Sequence, residues 1–252
     1  PALRRDGGSW DAAGVGVTVD GDLLSGTAAH VEYAHVADRL VVAATGSEAS
    51  SGASGDVSLW LVDPDAPEVT VTRQDALDRS TRVARVTFEG APGERLTQGS
   101  DAVLTDVLDR AAVLYANDLV GLARESLTRT VAYDSQREQF GRPVGSFQAL
   151  KHHMADLHVG LTMAEHAGLY AAHAADAGLP DARIAASIAK AKASDVAREV
   201  TAAMVQYHGG IGYTWEHETH LFFKRAKREE YAYGDASTHR ERIARHVVDV
   251  AG

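Results

Sequence analysis

Two short stretches of this 252-residue chain carry residue types that could bind a phosphorylated ligand. The first, REQFGRPVGSFQ, interrupts an alanine-rich helical pattern with polar and aromatic residues around two glycines and a proline. Arg137 is permanently charged, and its planar guanidinium matches the geometry of a phosphate. Gln139 and Gln148 would supply amide hydrogen bonds, and Phe140 offers a flat face to an aromatic ring. This stretch therefore predicts a ligand surface.

A purely structural interpretation of the same stretch stays open. Glycine commonly ends a helix and proline cannot continue one, so Gly141 would be the C-cap and Pro143 the stop of a helix–helix corner. Phe147 would then pack in the core. On this alternative the residues form a corner and no binding site.

The second stretch, QYHGGIGYTWEHE, places three glycines beside a glutamine and a histidine. Gly209, Gly210 and Gly212, next to Gln206 and His208, would let a backbone approach a phosphate closely. A Rossmann loop is excluded, because the spacing is wrong and the glycines follow a helical pattern instead of a strand. A helix terminus with a tight turn is the alternative.

The twelve histidines do not form a recognisable metal site. HETH, from His217 to His220, is one residue shorter than the metalloprotease helix signature and lacks its geometry. The other histidines are scattered over helix faces. We expect no metal.

Composition excludes several classes of protein. A net charge of −10 argues against a general nucleic-acid binder, which needs a basic face. The absence of cysteine excludes disulfides and thiolate metal sites. Because no apolar run approaches the roughly 20 residues of a membrane span, and PALRRDGGSW lacks the apolar core of a signal peptide, we expect a cytoplasmic protein with no membrane partner.

The hydrophobic periodicity divides the chain into two predicted domains, 1–97 and 98–252. Short alternating runs, VGVTVDGDLLSG, DRLVVAAT, VSLWLVD and TRVARVTFEG, predict a small antiparallel β domain with a hairpin turn at Asp20–Gly21. The small-residue loop GSEASSGASGD between two strands is expected to be mobile. Apolar residues then recur every three or four positions, which predicts an antiparallel bundle of the four-helix type. The predicted fold class is α+β.

Caps and breakers give approximate bounds for the helices. The predicted helices run from about Ser100 to Tyr133, from Ser146 to Gly178, from Asp181 as N-cap to Gly209, from about His220 to Tyr233, and, as a short fifth helix, from Asp235.

The two stretches together resemble the acyl-CoA dehydrogenase family. The family carries an Arg-x-x-Phe-Gly-x-x-(apolar)-x-x-x-Gln corner and a Gln-x-x-Gly-Gly-x-Gly-(aromatic) turn, here Arg137, Phe140, Gly141, Val144 and Gln148, and Gln206, Gly209, Gly210, Gly212 and Tyr213. Upstream, DGDLLSGTAAHVEYAHVADRLVVAA resembles the family's central β domain, and PALRRDGGS lies where the family has its Thr-Glu-Pro-Gly flavin loop. The resemblance covers the whole chain and implies that the N-terminal helical domain of the family is absent from this sequence.

This resemblance implies FAD at a subunit interface. In the family, one subunit's β domain holds the isoalloxazine and the neighbour's helical domain holds the adenosine diphosphate end. The second role falls on Arg137, Gln139, Phe140, Gln148, Gln206, His208, Gly209 and Gly210. Arg137 would then neutralise the pyrophosphate of a partner subunit's FAD.

Flavin-facing positions depart from the family pattern. Arg4, Arg5 and Asp6 stand where the flavin loop usually has Thr-Glu-Pro. His30 and Glu32 align where the next strand usually carries an aromatic residue and a Ser or Thr. These departures put the isoalloxazine half of the site in doubt.

The expected catalytic bases are also missing. The family's base is most often the Glu of a late Glu-Gly-Thr segment, and the Ala-Lys of KRAKREEYAYGDAS places Tyr233 there. The alternative base position, on the first bundle helix, falls on Ala111. A phenol with a pKa of about 10 is a poor base for an α-proton at neutral pH. The nearest carboxylates are Glu230 and Asp235.

The resemblance therefore implies a non-catalytic subunit of a heteromeric acyl-CoA dehydrogenase, similar to paired actinobacterial subunits that act on bulky acyl-CoAs such as steroid side chains. Its partners would be an acyl-CoA, a homologous subunit or a second copy in a tetramer, and an electron-transfer flavoprotein as acceptor. Two alternatives stay open: a self-sufficient homotetramer with a relocated carboxylate, and a structural subunit without FAD.

Overall fold

The computed structural model describes residues 1–46, 57–97 and 101–250, which form two compact units, Pro1–Leu108 and Asp109–Gly252. The predicted loop GSEASSGASGD lies outside the described residues, apart from Gly46. The α+β class is confirmed: the first unit is built on a β-sheet, and the second is helical.

The first unit is a six-stranded sheet with its core inside. Its strands are β1 Val17–Asp20, β2 Leu23–Glu32, β3 Leu40–Gly46, β4 Val57–Val62, β5 Val69–Gln74 and β6 Val83–Arg95. The order is β2-β1-β3-β4-β6-β5, and β2 also pairs with β6, so that five of the strands close on themselves as in a barrel. Closure buries the alternating apolar residues Val17, Leu24, Val42, Val62, Val86 and Phe88.

Two features of this sheet differ from the prediction. The sheet is mixed, because β1 pairs parallel with β3. The turn at Gly21 reverses the chain into β2, as predicted, and the chain then turns back again before β3, which gives β3 the direction of β1. The strand β5 is additional. Its alternating residues are at most half-buried, so it depends on pairing with β6 more than on its own hydrophobicity.

The described residues of the helical part form five α-helices: α1 Asp101–Gln136, α2 Gln148–Ala177, α3 Ala182–His208, α4 Thr219–Tyr231 and α5 Ala236–Val250. Helix α3 is central and buries residues on several faces, nearly half of them alanines. Small side chains let neighbouring helices approach closely, and Gly168 of α2 does the same against Asn117 of α1, where a Cβ would lie 2.8 Å from the Asn117 amide oxygen.

The predicted cap of α3 is correct in position but not in chemistry. Asp181 precedes the helix, yet its side chain makes no capping hydrogen bond. Its Oδ2 accepts a hydrogen bond of 2.6 Å from the Tyr170 hydroxyl instead, which ties the start of α3 to α2.

Across the described parts of the chain, we find no helix with the length and hydropathy that a membrane span requires.

Candidate functional site

The corner between α1 and α2 is a β-hairpin of the smallest size. Strands β7 Glu138–Gln139 and β8 Arg142–Pro143 pair antiparallel and are joined by Phe140 and Gly141 alone. Both turn residues have positive φ, 55° and 76°, as the mirror-image turns of two-residue hairpins require. Gly141 is therefore a hairpin residue and not the C-cap of α1, which ends at Gln136.

The hairpin presents Phe140 to solvent in an unfavourable conformation. A positive φ costs a non-glycine residue about 1–3 kcal/mol, and Phe140 is 92% exposed, so burial returns little of that cost. Its ring meets the edge of Phe147 at 6.3 Å between centroids, and the Arg142 guanidinium lies 4.0 Å from the centre of the Phe147 ring. Residues held this way cluster at binding sites.

The end of α3 forms the opposite side of the site. Gly209 has φ 64° and ψ −140°, a region that essentially only glycine occupies. A Cβ on Gly212 would lie 2.6 Å from the Val205 carbonyl oxygen, so packing requires that glycine. Gly210 differs from both: its φ is not positive, and a Cβ there would meet nothing within 4 Å. The described chain gives no steric reason for glycine at 210.

A cleft of about 560 Å³ lies between the hairpin and the end of α3. All the predicted cofactor-binding residues line it except Gln148, which is the exposed first residue of α2. Six further residues line the cleft: Tyr133, Val144, Phe147, Leu150, Tyr207 and Ile211. Tyr133 was detectable because it precedes Arg137 by one helical turn, and Tyr207 and Ile211 because they lie inside the glycine motif.

Arg137 supplies the fixed positive charge of the cleft. Its backbone is held, since its N–H donates to the Tyr133 carbonyl (2.9 Å) and its carbonyl accepts from Val144 N–H (2.7 Å). Among the described residues its exposed guanidinium has no hydrogen-bond or ion-pair partner. Gln139 differs, because its Nε2 already donates to the adjacent Glu138 carbonyl at 2.7 Å.

His208 is a buried structural part of the cleft wall. Its ring stacks on Tyr133 at 4.3 Å and contacts His217 at 4.6 Å. Nδ1 donates to the Met204 carbonyl at 2.7 Å, and burial lowers the pKa of the imidazole. His208 is therefore neutral at neutral pH and adds no charge to that of Arg137.

The two expected base positions lie near each other in the bundle. Ala111 is one helical turn from Tyr115, whose ring centroid is 4.9 Å from that of Tyr233. Tyr233 is 8% exposed and has a positive φ, 58°. Its carbonyl accepts a hydrogen bond of 3.2 Å from His239 Nε2, and burial lowers the pKa of His239 to about 4. A neutral imidazole thus anchors Tyr233.

The weak candidates for a relocated base already have structural partners. Asp235 caps α5 by accepting hydrogen bonds from the Thr238 backbone N–H (2.8 Å) and hydroxyl (2.7 Å), which lower the pKa of its carboxyl. Glu230 pairs with Lys227 at 2.7 Å. A carboxylate with a lowered pKa accepts a proton less readily, so the geometry disfavours Asp235 as a base.

Sequence reasoning missed a buried carboxyl beside these residues. Glu229 is fully buried, and its Oε1 accepts from Arg225 Nε (2.9 Å) and Arg228 Nη2 (3.3 Å). Burial, reinforced by the carboxyl of Asp118, raises the pKa of Glu229 to about 8. Nothing in the local sequence marks it, since Glu230 beside it has the same chemistry and a different environment.

Several residues of the β unit that differ from the family pattern form charged contacts within the chain. The Arg4 guanidinium lies 4.3 Å from the Trp10 ring centre and donates to the Gly8 carbonyl at 2.6 Å. Asp6 pairs with Arg85 at 2.8 Å and with His30 at 3.4 Å, and Arg85 lowers the pKa of the Asp6 carboxyl. The side chains of Arg4, Asp6 and His30 are thus engaged with the chain itself.

The chain is similar to known proteins over most of its length. The family model for the acyl-CoA dehydrogenase C-terminal domain matches residues 77–248. Acyl-CoA dehydrogenase IpdE2 of Mycolicibacterium smegmatis is 38% identical over 179 residues, which covers 69% of this chain and 53% of IpdE2. Acyl-CoA dehydrogenase FadE34 of Mycobacterium tuberculosis is 40% identical over 186 residues, covering 69% of this chain and 25% of FadE34.

Solved structures agree with this result. A variant of the Tcur3481-Tcur3483 steroid ACAD has a TM-score of 0.82 at 32% identity, covering 93% of this chain and 62% of that one. The ChsE4-ChsE5 complex from Mycobacterium tuberculosis has a TM-score of 0.85 at 28% identity, covering 98% of this chain and 64% of that one.

The fold and the family match together define the class: the chain belongs to the acyl-CoA dehydrogenase family, whose members generally depend on FAD. It spans about half the length of the IpdE2 relatives that it matches.

Proposed function

We propose that this chain is a subunit of an acyl-CoA dehydrogenase and holds the adenosine diphosphate end of a partner subunit's FAD. The observation that carries the proposal is the cleft, which brings residues from two motifs far apart in the sequence around one unpaired guanidinium. Bound FAD would supply the hydride-accepting chemistry of α,β-desaturation of an acyl-CoA, and the protein would supply binding and geometry.

The residues of the cleft fit a diphosphate with an attached aromatic group. Arg137 would form charge-assisted hydrogen bonds to the phosphate oxygens, and Gly209 and Gly210 would let the backbone approach them. Phe140 and the Tyr133–His208 stack offer apolar and aromatic surface nearby. The charge of the cleft, one fixed cation and a neutral imidazole, suits an anionic ligand.

We further propose that the chain is the non-catalytic member of a heteromer. Supporting this, the family's base position holds Tyr233, which is buried and anchored by His239. Asp235 caps a helix, and Glu229 is held by two arginines. In the β unit, Asp6 pairs with Arg85 and with His30. A partner subunit would contribute the base, the isoalloxazine site and the acyl-CoA pocket.

The relatives suggest what kind of partner and substrate to test. One structural neighbour is named as a steroid ACAD and another as a complex of two different chains, ChsE4 and ChsE5. A third neighbour comes from a structure named for the electron transferring flavoprotein of Acidaminococcus fermentans. We therefore propose a homologous subunit as partner, a bulky acyl-CoA as substrate and a flavoprotein as electron acceptor. The competing proposals are a self-sufficient homotetramer and a structural subunit without FAD.

The first prediction tests whether Arg137 contributes to FAD binding in the cleft. Arg137→Ala removes the unpaired guanidinium, which has no structural partner among the described residues, so folding should be unaffected. Losing one charge-assisted contact costs roughly 1.5–3 kcal/mol, about tenfold or more in affinity. We expect the variant to lose FAD on dialysis, measured by flavin absorbance per chain.

The matched control is Arg124→Ala, which removes the same charge from α1, the helix that ends just before Arg137. Arg124 pairs with Glu165 at 2.8 Å and lies outside the cleft. Unchanged FAD content in Arg137→Ala, or equal loss in both variants, would contradict the assignment.

A further inference from the structure

An unpaired carboxyl group lies buried directly behind the cleft. Asp134, in the last turn of α1, is 1% exposed, and neither of its carboxylate oxygens has a hydrogen-bond partner among the described residues. The hydroxyl oxygen of Ser146, just before α2, is also buried without a partner. Buried polar groups are normally paired, so these two require an explanation.

Asp134 contacts or influences three parts of the cleft wall: the end of α1, the connection into α2 and the end of α3. Asp134 follows the lining residue Tyr133. Gly145 packs against Asp134 so closely that a Cβ would lie 3.0 Å from the Asp134 carbonyl oxygen. Helix α3 is coupled as well: burial, and to a lesser extent the charge of Asp134, raise the pKa of Tyr207, a lining residue whose hydroxyl hydrogen-bonds His153 of α2. A change at Asp134 therefore acts on the end of α1, the connection into α2 and the end of α3.

Within the part of the chain that the structure describes, no cation offsets a charge on Asp134. The titratable group that faces Asp134 from α3 is Tyr207. The titratable group on α2 is His153, which hydrogen-bonds the Tyr207 hydroxyl. The nearest arginines in the sequence are Arg137, which follows on the same chain segment, and Arg142, whose guanidinium lies over Phe147. Neither forms an ion pair with Asp134 within the described residues. An ionised Asp134 would be an uncompensated buried charge, which is strongly unfavourable.

We propose that Asp134 is a protonation-dependent positioning residue of the cleft: its neutral carboxyl keeps the junction of α1, the hairpin and α2 packed, and its carboxylate loosens that junction and weakens ligand binding. This inference rests on the proposed function for the identity of the ligand, but not for the behaviour of the junction.

The direction of the pH dependence follows from the burial. Burial raises the pKa of Asp134 from 3.8 to about 6. Since the folded-state pKa lies above the unfolded one, the packed junction has its full stability below about pH 4 and loses it as the pH rises to about 6. The linked equilibrium can shift by up to about a hundredfold over this window.

The second prediction tests this with FAD as the probe. FAD is suitable because its pyrophosphate lacks the monoester group that titrates with a pKa of about 6. For the unmodified chain we expect affinity for FAD to fall roughly tenfold or more between pH 4.5 and 7.5. Asp134→Asn should retain its low-pH affinity at pH 7.5. Glu138→Gln, which removes an exposed carboxylate from the same hairpin, should follow the unmodified chain.

Amide hydrogen exchange without FAD separates the two proposals. At pH 7.5, peptides covering residues 133–150 should exchange more slowly in Asp134→Asn than in the unmodified chain, relative to α3 peptides as the internal reference. Equal exchange and parallel affinity curves would overturn the role of Asp134. Slower exchange with no FAD binding at any pH would support the role of Asp134 and contradict the proposed function. If Asp134→Asn does not fold, the unmodified chain provides the test. After correction for intrinsic rates, peptides covering residues 133–150 should exchange faster at pH 7.5 than at pH 4.5. Equal corrected exchange at the two pH values would overturn the inference.

Discussion

Gly210 and Arg137 are residues whose identity the folded chain itself does not require. An alanine methyl group at 210 would meet open space, and the guanidinium at 137 has no partner among the described residues. Phe140 is unfavourable for the folded chain, since it is exposed and held at positive φ. Residues chosen for stability would show buried area or hydrogen bonds, so these three are best explained by contacts made outside the chain.

The third prediction separates ligand contact from stability at Gly210. In Gly210→Ala, the methyl group fits the free chain, so thermal stability should stay within about 0.5 kcal/mol. The same methyl would occupy the space through which a phosphate approaches the backbone, and we expect FAD affinity to fall roughly tenfold. Thermal unfolding and FAD titration measure the two effects independently.

Gly121→Ala is the control for this substitution. Gly121 lies in the interior of α1, and a Cβ there also meets nothing within 4 Å. Alanine should stabilise the helix by about 0.5–1 kcal/mol and leave FAD affinity unchanged. Unaltered FAD binding in Gly210→Ala would remove the argument for backbone approach at this turn.

At the scale of elements, the end of α4 depends on a side chain from α3. Lys190 is fully buried, and its Nζ, which carries three N–H donors, lies within hydrogen-bond distance of the carbonyls of Glu229 (3.0 Å), Glu230 (3.1 Å) and Gly234 (3.0 Å) and of the Ser194 hydroxyl (3.1 Å). A cation at a helix C-terminus also interacts favourably with the helix dipole. One lysine therefore fixes the segment that carries Tyr233.

The fourth prediction is that Lys190→Met destabilises the chain. It leaves three buried carbonyls without their donor, and we expect a loss of about 2–4 kcal/mol in the free energy of unfolding at pH 7.5. Burial lowers the pKa of Lys190 from 10.5 to about 8. Because the unfolded chain binds the extra proton between these values, the unmodified chain gains stability as the pH rises from 8 to 10, and the difference from the variant widens.

Urea unfolding at pH 7.5 and 9.5 checks both parts of this prediction. Lys192→Met, on the same helix, is the control and should change stability by less than about 0.5 kcal/mol. A Lys190→Met variant as stable as the control would show that water or relaxation satisfies the carbonyls.

Sequence patterns predicted the regular elements better than their junctions. Periodic apolar residues gave the five helices within a few residues, because helix burial follows a local rule. The β7–β8 hairpin was missed because its turn is Phe140–Gly141, and phenylalanine does not signal a positive φ. The parallel β1–β3 pairing depends on tertiary closure, which no local pattern encodes.

The candidate site divides in the same way. The motif residues that line the cleft were readable from residue type and spacing together with the family resemblance. The Lys190 contacts join residues about forty positions apart, and the burial of Asp134 depends on how three segments meet, so neither could be read from the local sequence.

At the scale of the whole molecule, we propose that this chain supplies only some of the groups that the reaction needs. The described chain offers a cleft with an unpaired cation, and the two expected base positions hold Ala111 and Tyr233 instead of carboxylates. The desaturation chemistry needs both a base for the α-proton and a hydride acceptor. Since the cleft would hold only one end of the cofactor, the proposed function requires a second subunit.

The fifth prediction is that this polypeptide alone does not desaturate acyl-CoAs. Lack of a positioned general base should reduce the rate by about 10²–10⁴, and a cofactor held at one end only would reduce it further. The measurement is dye reduction with a panel of acyl-CoAs, including bulky ones, for the chain alone and co-expressed with candidate homologous subunits. Native mass spectrometry of the active complex should give one FAD for every two chains.

Substitutions decide which chain carries the chemistry. In an active complex, removing a carboxylate of the partner should abolish turnover, and Glu230→Gln and Asp235→Asn in this chain should not, provided that both variants remain folded. Robust turnover by this chain alone, lost in either variant and accompanied by one FAD per chain, would instead establish the homotetramer with a relocated base. Full activity and unchanged FAD content of the complex in Arg137→Ala would leave this chain a structural role, because the cleft around Arg137 would then hold no cofactor.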